Sequence, residues 1–303
     1  MAEGRHRAWG VAVVWSALFC DYVLMTLVIP IFPKLGVSDV EVGVLFSAKA
    51  AVQVVTSPLV ARVVDGCGLL PMLLGLLIEL LTSIGFTIST KYSLWFVMRA
   101  IQGLASAAIL SSGFLHVQQL HAGDSDALGN AMGTVITGII GGVMLGPPLG
   151  GLLFEVGEKW PFWFSAAIIG VSISFAAVYM QRHSLGCGRG HSTDVAQGGN
   201  EHGQGESEID DDRSTRAKIC ALLHDKHVLV VLGALFFANA AISCLEATAG
   251  LHLEDALDMT PGQVGLMYMA TAGPSVLGSK VGGWLGNKYG RWKIIMRGMV
   301  LQG

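Results

Sequence analysis

The chain reads as an all-α polytopic membrane protein, and three features of the sequence predict it. Hydrophobic residues fill 52% of its 303 positions and charged residues only 14%, with a mean hydropathy of +0.58, which is too apolar for an ordinary soluble domain of this size. The apolar residues gather into runs of about 20, the length a helix needs to cross roughly 30 Å of hydrocarbon. Forty glycines accompany them, and glycine lets membrane helices pack closely. The net charge of −3 identifies no partner. Cys20, Cys67, Cys187, Cys220 and Cys244 are scattered, with neither a CxxC pair nor a disulfide framework. No phosphate-cradling loop, catalytic triad or basic nucleic-acid patch is present, so neither an enzyme nor a cofactor is expected.

Taken in order, the predicted spans are 9–32, 41–62, 69–89, 93–116, 129–153, 161–181, 227–250 and 262–283, and a ninth begins near Ile294. The first run lacks a small-residue cleavage site and is read as a membrane helix, not a signal peptide. Between the sixth and seventh spans lies a polar stretch with the acidic residues Glu206, Glu208, Asp210, Asp211 and Asp212, expected to be a disordered cytoplasmic linker. His183, Cys187 and His191 in and beside it lack a fourth ligand and are not read as a metal site. The domains expected are therefore a six-helix bundle at 1–182, a linker at 183–226 and a second, partial bundle at 227–303. With a cytoplasmic N-terminus, 14 lysines and arginines fall on the cytoplasmic side against Lys34, Lys91 and Lys159 opposite, a clear positive-inside bias.

Two ionisable residues interrupt the apolar runs, Asp21 in the first and Lys49 in the second. A charge at mid-bilayer costs about 2.5–3.5 kcal/mol on insertion scales, so each is most simply explained by a function. Asp21 lies about 13 residues from the cytoplasmic start of its span, hence roughly 20 Å deep. The competing reading is a charge paired only to steady the bundle. Lys49 needs a carboxylate; Asp21 is one candidate, and the sequence leaves open whether they meet. Glu79, in the third span, is expected to lie at the lipid interface or to be paired in the core.

The second span is repeated. Val42 to Gly68 recurs without gaps as Val264 to Gly290, an offset of 264 − 42 = 222, and both copies end in a short turn, Asp65-x-x-Gly68 and Asn287-x-x-Gly290. Parallel six-helix repeats joined by a long cytoplasmic loop are the plan of the major facilitator superfamily, which this chain resembles. Gly142-x-x-x-Gly146-Pro147-x-x-Gly150-Gly151 in the fifth span and Arg99-x-x-Gln102-Gly103 in the fourth are similar to motifs of its proton-coupled antiporter branch. Close helix packing alone is the competing reading of each glycine.

Within that branch the chain resembles the vesicular amine transporters, carriers of monoamines and acetylcholine. The resemblance rests on Asp21 with Pro30 and Pro33, on Gly43 to Lys49 with Gln53 and Pro58, on Glu155, Gly157, Lys159 and Pro161, and on Phe237, Asn239, Leu245 and Glu246. It implies that Asp21 recognises the cationic substrate, that Asn239 and Glu246 line the pocket with Glu246 as a proton acceptor, and that Lys49 and Arg99 belong to the charge network. Asn239 and Glu246, seven residues apart, share a helix face. The turns at Asp65, Gly68, Asn287, Gly290 and Arg291 resemble the superfamily's gating motif, the first copy degraded by Gly66 and Leu69. Departures are the short link from Lys34 to Val42, the lack of an N-x-S/T sequon, and the absence of the last helices, among them the one that carries a usual partner of Lys49.

The resulting expectation is a proton-coupled antiporter of cationic amines in a secretory or synaptic vesicle membrane, with the amine, protons and the lipid bilayer as its partners. The alternatives are a plasma-membrane exporter of organic cations and a truncated, transport-incompetent protein that binds ligand or modulates a full-length relative. With one complete bundle and two to three helices of the other, the chain is expected to insert with a cytoplasmic N-terminus and not to transport alone.

Overall fold

In a computed structural model the chain is described at residues 2–32, 38–88, 91–183, 226, 228–230, 232–233, 236–237, 240, 252–253, 256–270, 293 and 297–298. Six long helices run in order: α1 Ala2–Leu27, α2 Asp39–Cys67, α3 Leu70–Ile88, α4 Tyr92–Leu120, α5 Ser125–Val156 and α6 Trp160–His183. All six are long and apolar enough to cross a membrane, so the protein is a multi-pass integral membrane protein.

The six correspond to the first six predicted spans, with shifted ends. α1 begins at Ala2 instead of near residue 9, and α4 and α5 overrun their apolar windows. A hydropathy window marks the part of a helix that hydrocarbon surrounds, whereas the hydrogen-bond ladder continues until a cap or a proline stops it. α1 stops at Leu27 because Pro30 lacks an N–H and disfavours helical geometry in the residue before it. Residues 28–32 continue as tight turns, Ile29 N–H donating to Thr26 O at 3.1 Å and Ile31 N–H to Val28 O at 3.0 Å.

Local chemistry sets the other ends. Ser38 caps α2 in a reciprocal box: its hydroxyl accepts from Glu41 N–H, and its own N–H donates to Glu41 Oε2 at 2.9 Å. Gly68 ends the helix at φ +55°, where a side chain would be strained, and its N–H reaches Val64 O at 3.0 Å. α3 starts two residues later, so the turn expected at Asp65 to Gly68 joins α2 to α3; the side chain of Asp65 lies outside the described residues. Asp124 caps α5 by accepting from Ala127 N–H at 2.9 Å.

α1 packs chiefly on α5 and α6, α2 on α4, and α3 on α4 and α6. Two glycine seams make the tightest approaches. A Cβ on Gly146 would strike Thr26 Oγ1 and the α1 backbone, and one on Gly150 would strike the carbonyl of Leu27; the Thr26 hydroxyl is shared between Tyr22 O of its own helix at 2.9 Å and Gly142 O across this seam at 3.2 Å. A Cβ on Gly103 would strike the carbonyl of Lys49, so α4 lies directly on the α2 backbone there. The motif glycines of α4 and α5 are therefore contact surfaces. α3 is joined to α6 by Ser83 Oγ, 2.6 Å from Ser165 Oγ and 2.8 Å from Phe162 O.

The chain divides into two compact units, Met1–Gly190 with Ala247–Leu285, and His191–Glu246 with Gly286–Gly303. In the first unit residues 261–270 are helical, within the predicted eighth span. Thr260 and Gln263 bond reciprocally at its start, Gly262 N–H donates to Glu155 Oε1 at 3.1 Å, and a Cβ on Gly151 would meet the carbonyl of Pro261. In the second unit the described residues, such as 228–230, 236–237 and 297–298, are helical.

Candidate functional site

Four helices of the bundle converge on one buried polar cluster. Asp21 on α1 accepts from Lys49 Nζ on α2 at 2.8 Å and from Ser106 Oγ on α4 at 2.6 Å, both on Oδ1. The two charged side chains are 7% and 2% exposed for Lys49 and Asp21 respectively. The question the sequence leaves open is thus answered: Lys49 meets Asp21, within the first bundle. Asp21 itself stands closer to a helix end than expected, six residues before Leu27 in α1. The buried turns at residues 28–32 cover it on that side.

Arg99 lies one layer away, fully buried, with its guanidinium 5.2 Å from the ring centroids of both Phe32 and Phe46. Nη1 donates to Gln102 Oε1 at 3.2 Å and Nη2 to Met25 O at 3.3 Å. Gln102 continues the chain of contacts to Thr82 Oγ1 on α3 at 3.4 Å. Two aromatic faces and a carbonyl can hold a cation without a counter-ion in direct contact. The motif arginine and glutamine thereby tie α4 to α1 and α3.

Glu79 corrects the sequence reading most. It is 0% exposed, at the middle of α3, so of the two places expected it takes the core and not the lipid interface; among the described residues it forms no ion pair. Neither carboxyl oxygen accepts a hydrogen bond among the described residues, and the group lies against the Asp21 carboxyl. One signal for this was available in the sequence. Gly75, Glu79, Thr82, Ser83 and Phe86 recur at helical spacing and face inward, while Leu74, Leu81 and Ile88, seven apart, face outward. The small and polar residues thus share the packed face and leucine covers the lipid face, the reverse of a soluble helix. Ser106, Phe32 and Phe46 also escaped the sequence reading; a serine or phenylalanine in an apolar run carries no distinguishing signal.

Of the other expected site residues, Gly142, Gly146, Pro147, Gly150 and Gly151 lie on α5, and Gly68 ends α2. Asn239, Glu246, Asn287, Gly290 and Arg291 lie outside the described residues. The polar stretch at 184–225 does too.

The sequence pattern of the Major Facilitator Superfamily matches residues 14–303. The chain belongs to that superfamily. The synaptic vesicular amine transporter of Bos taurus is 27% identical over 267 residues, 88% of this chain and 47% of that protein. The human chromaffin granule amine transporter is 27% identical over 265 residues, 87% of this chain and 46% of its own. A probable vesicular acetylcholine transporter-B of Danio rerio is 27% identical over 315 residues, 99% of this chain and 59% of that one. The chain spans about half the length of the curated relatives it matches. Among solved structures, a bacterial homolog to the human lysosomal transporter Spinster, inward-facing and unoccupied, aligns with a TM-score of 0.62 at 16% identity, covering 94% of this chain and 63% of that one. That likeness confirms the superfamily's helical fold.

Proposed function

We propose that the protein binds a small cationic amine at Asp21 and serves proton-coupled antiport of that amine across a vesicular membrane by alternating access. The observation that carries this reading is the buried Lys49–Asp21 pair, held by Ser106 on the same carboxylate oxygen, inside a bundle of the superfamily. Asp21 is held by a displaceable cation: an ammonium entering the bundle competes with Lys49 Nζ for one carboxylate, and a tight pair is thereby turned into a selective site. The names of the relatives, amine and acetylcholine transporters among them, support the substrate class and a vesicular location. In this reading Arg99 positions α4 beside the site, and Asn239 and Glu246 contribute from the second half of the chain. The division into a bundle at 1–182, a linker at 183–226 and a partial bundle at 227–303 is part of the proposal.

A second reading draws on the same pair. A salt bridge this well buried is also what a purely structural brace looks like, and in that case the chain binds no amine. Binding of tritiated dopamine and tritiated acetylcholine to the purified chain in liposomes separates the two. Site-specific binding abolished by Asp21→Asn, with helix content unchanged, supports the proposal; binding that is undiminished in Asp21→Asn sinks it.

A further inference from the structure

Glu79 is the carboxyl of the cluster to which Lys49, Arg99 and Ser106 give no hydrogen bond among the described residues, Lys49 acting on it only through space. Both of its oxygens are buried without a donor among the described residues, while Asp21 beside it takes Lys49 and Ser106 on a single oxygen. An ionised carboxylate in such a place lacks the hydrogen bonds that burial of charge requires. A carboxylic acid does not, because its O–H can be given to the neighbouring carboxylate, and two acids in contact hold one proton between them for that reason.

We propose that Glu79 carries the exchangeable proton of the site, and that an ammonium with N–H donors takes the place of that proton. The inference rests on the binding reading above and extends it to a residue and a substrate class. In the resting arrangement Glu79–COOH donates to Asp21–COO⁻. When R–NH₃⁺ enters, the Glu79 O–H bond breaks, the proton leaves to the water on the side to which the site is open, and Glu79–COO⁻ accepts N–H bonds from the ammonium. One cation replaces one proton, nothing is oxidised or reduced, and the charge of the cluster is unchanged. A quaternary ammonium has no N–H with which to satisfy Glu79, so the site favours primary and secondary amines.

The groups that face Glu79 come from several helices. α1 brings Asp21 and Cys20, whose Sγ lies 3.6 Å from Ile168 O, and α2 brings Lys49. On α4 neutral Gln102 bonds to Thr82 and Ser106 to Asp21, with Arg99 also acting on Asp21. On α6 the hydroxyls of Ser165 and Ser172 are engaged with Ser83 and Ser16. The ionisable Tyr179 of α6 is engaged elsewhere, 3.0 Å from His116 Nε2 and 3.2 Å from His6 Nε2.

Infrared difference spectra of the full chain in liposomes, with and without ¹³C-labelled glutamate, read the proton directly. At neutral pH the wild type is expected to show a protonated-carboxyl band that shifts on glutamate labelling, vanishes in Glu79→Gln and returns in Glu79→Asp. Adding dopamine is expected to bleach the band and acidify a weakly buffered medium, and acetylcholine to leave it in place. Glu79→Gln is expected to weaken dopamine binding by about tenfold or more, the worth of a hydrogen bond to a charged group, and to spare acetylcholine. A wild type with no glutamate-derived band overturns the inference, and this result does not depend on any variant folding. A band that survives in Glu79→Gln overturns it as well. Dopamine that binds without touching the band overturns the inference and leaves the binding reading standing. A wild type that holds the band but binds neither probe refutes the binding reading and the displacement together.

Discussion

Removing Lys49 is the sharpest test of how the bundle is held. At 2.8 Å the gross Coulomb attraction to Asp21 is about 6 kcal/mol at an effective dielectric constant of ~20. Desolvation of two ions, several kcal/mol each, offsets nearly all of it. The pair as a whole therefore adds little to stability, and the cost appears when one partner is lost. Lys49→Met leaves Asp21 ionised in the bundle without its cation, and is expected to destabilise by about 3–5 kcal/mol. Asp21→Asn is expected to cost less, because Glu79 stands beside the orphaned Lys49 and becomes its counter-ion. The double variant Asp21→Asn with Lys49→Met is expected to be more stable than Lys49→Met alone. Reversible unfolding in mixed micelles, followed by tryptophan fluorescence, gives all four free energies of the cycle. A coupling energy below ~0.5 kcal/mol, the scatter expected of independent sites, refutes the assignment of a buried, mutually dependent pair.

Three further outcomes follow from packing. Gly146→Ala places a methyl on Thr26 Oγ1 and the α1 backbone and is expected to cost about 1–3 kcal/mol by overpacking; Gly133→Ala, which meets nothing within 4 Å, is the control, and equal melting temperatures for the two contradict the seam. Arg99→Lys keeps the charge but loses the planar group lying over Phe32 and Phe46 at 5.2 Å, an expected loss of about 1–2 kcal/mol in the same unfolding assay. Thr26→Val removes the hydroxyl shared between Tyr22 O at 2.9 Å and Gly142 O at 3.2 Å and is expected to cost about 1 kcal/mol, with a cost indistinguishable from zero counting against the hydroxyl as a tie between α1 and α5.

The six helices of the first bundle were legible because burial in lipid requires long apolar runs, and no soluble fold imitates six of them. Their ends were not, since residues such as Arg5 and His6 extend a helix beyond the hydrocarbon without any hydropathy signal, and Pro30 ends one inside it. Asp21 and Lys49 stood out because an isolated charge in an apolar run has few explanations. That they meet depends on how α1 and α2 face each other, which Gly103 fixes by drawing α4 onto the α2 backbone, a long-range fact invisible in either run. Glu79 stayed undecided for the same reason: a lone glutamate among leucines looks alike at an interface and in a core, and only the facing of Gly75, Thr82 and Ser83 tells them apart.

The seam between α1 and α5 has a consequence for motion. Helices normally lock through interdigitated ridges of side chains, and a shift between them means lifting one ridge over another. Gly142, Gly146 and Gly150 present no ridge to α1; the seam is a smooth bearing, held on one side by Trp15 Nε1 donating to Thr137 Oγ1 and on the other by a latch, the Thr26 hydroxyl beside Gly142 O. α1 carries that latch five residues beyond Asp21, so exchange of partners at the carboxylate acts on the same rigid rod that turns in the bearing. A side chain added at Gly146 would jam it.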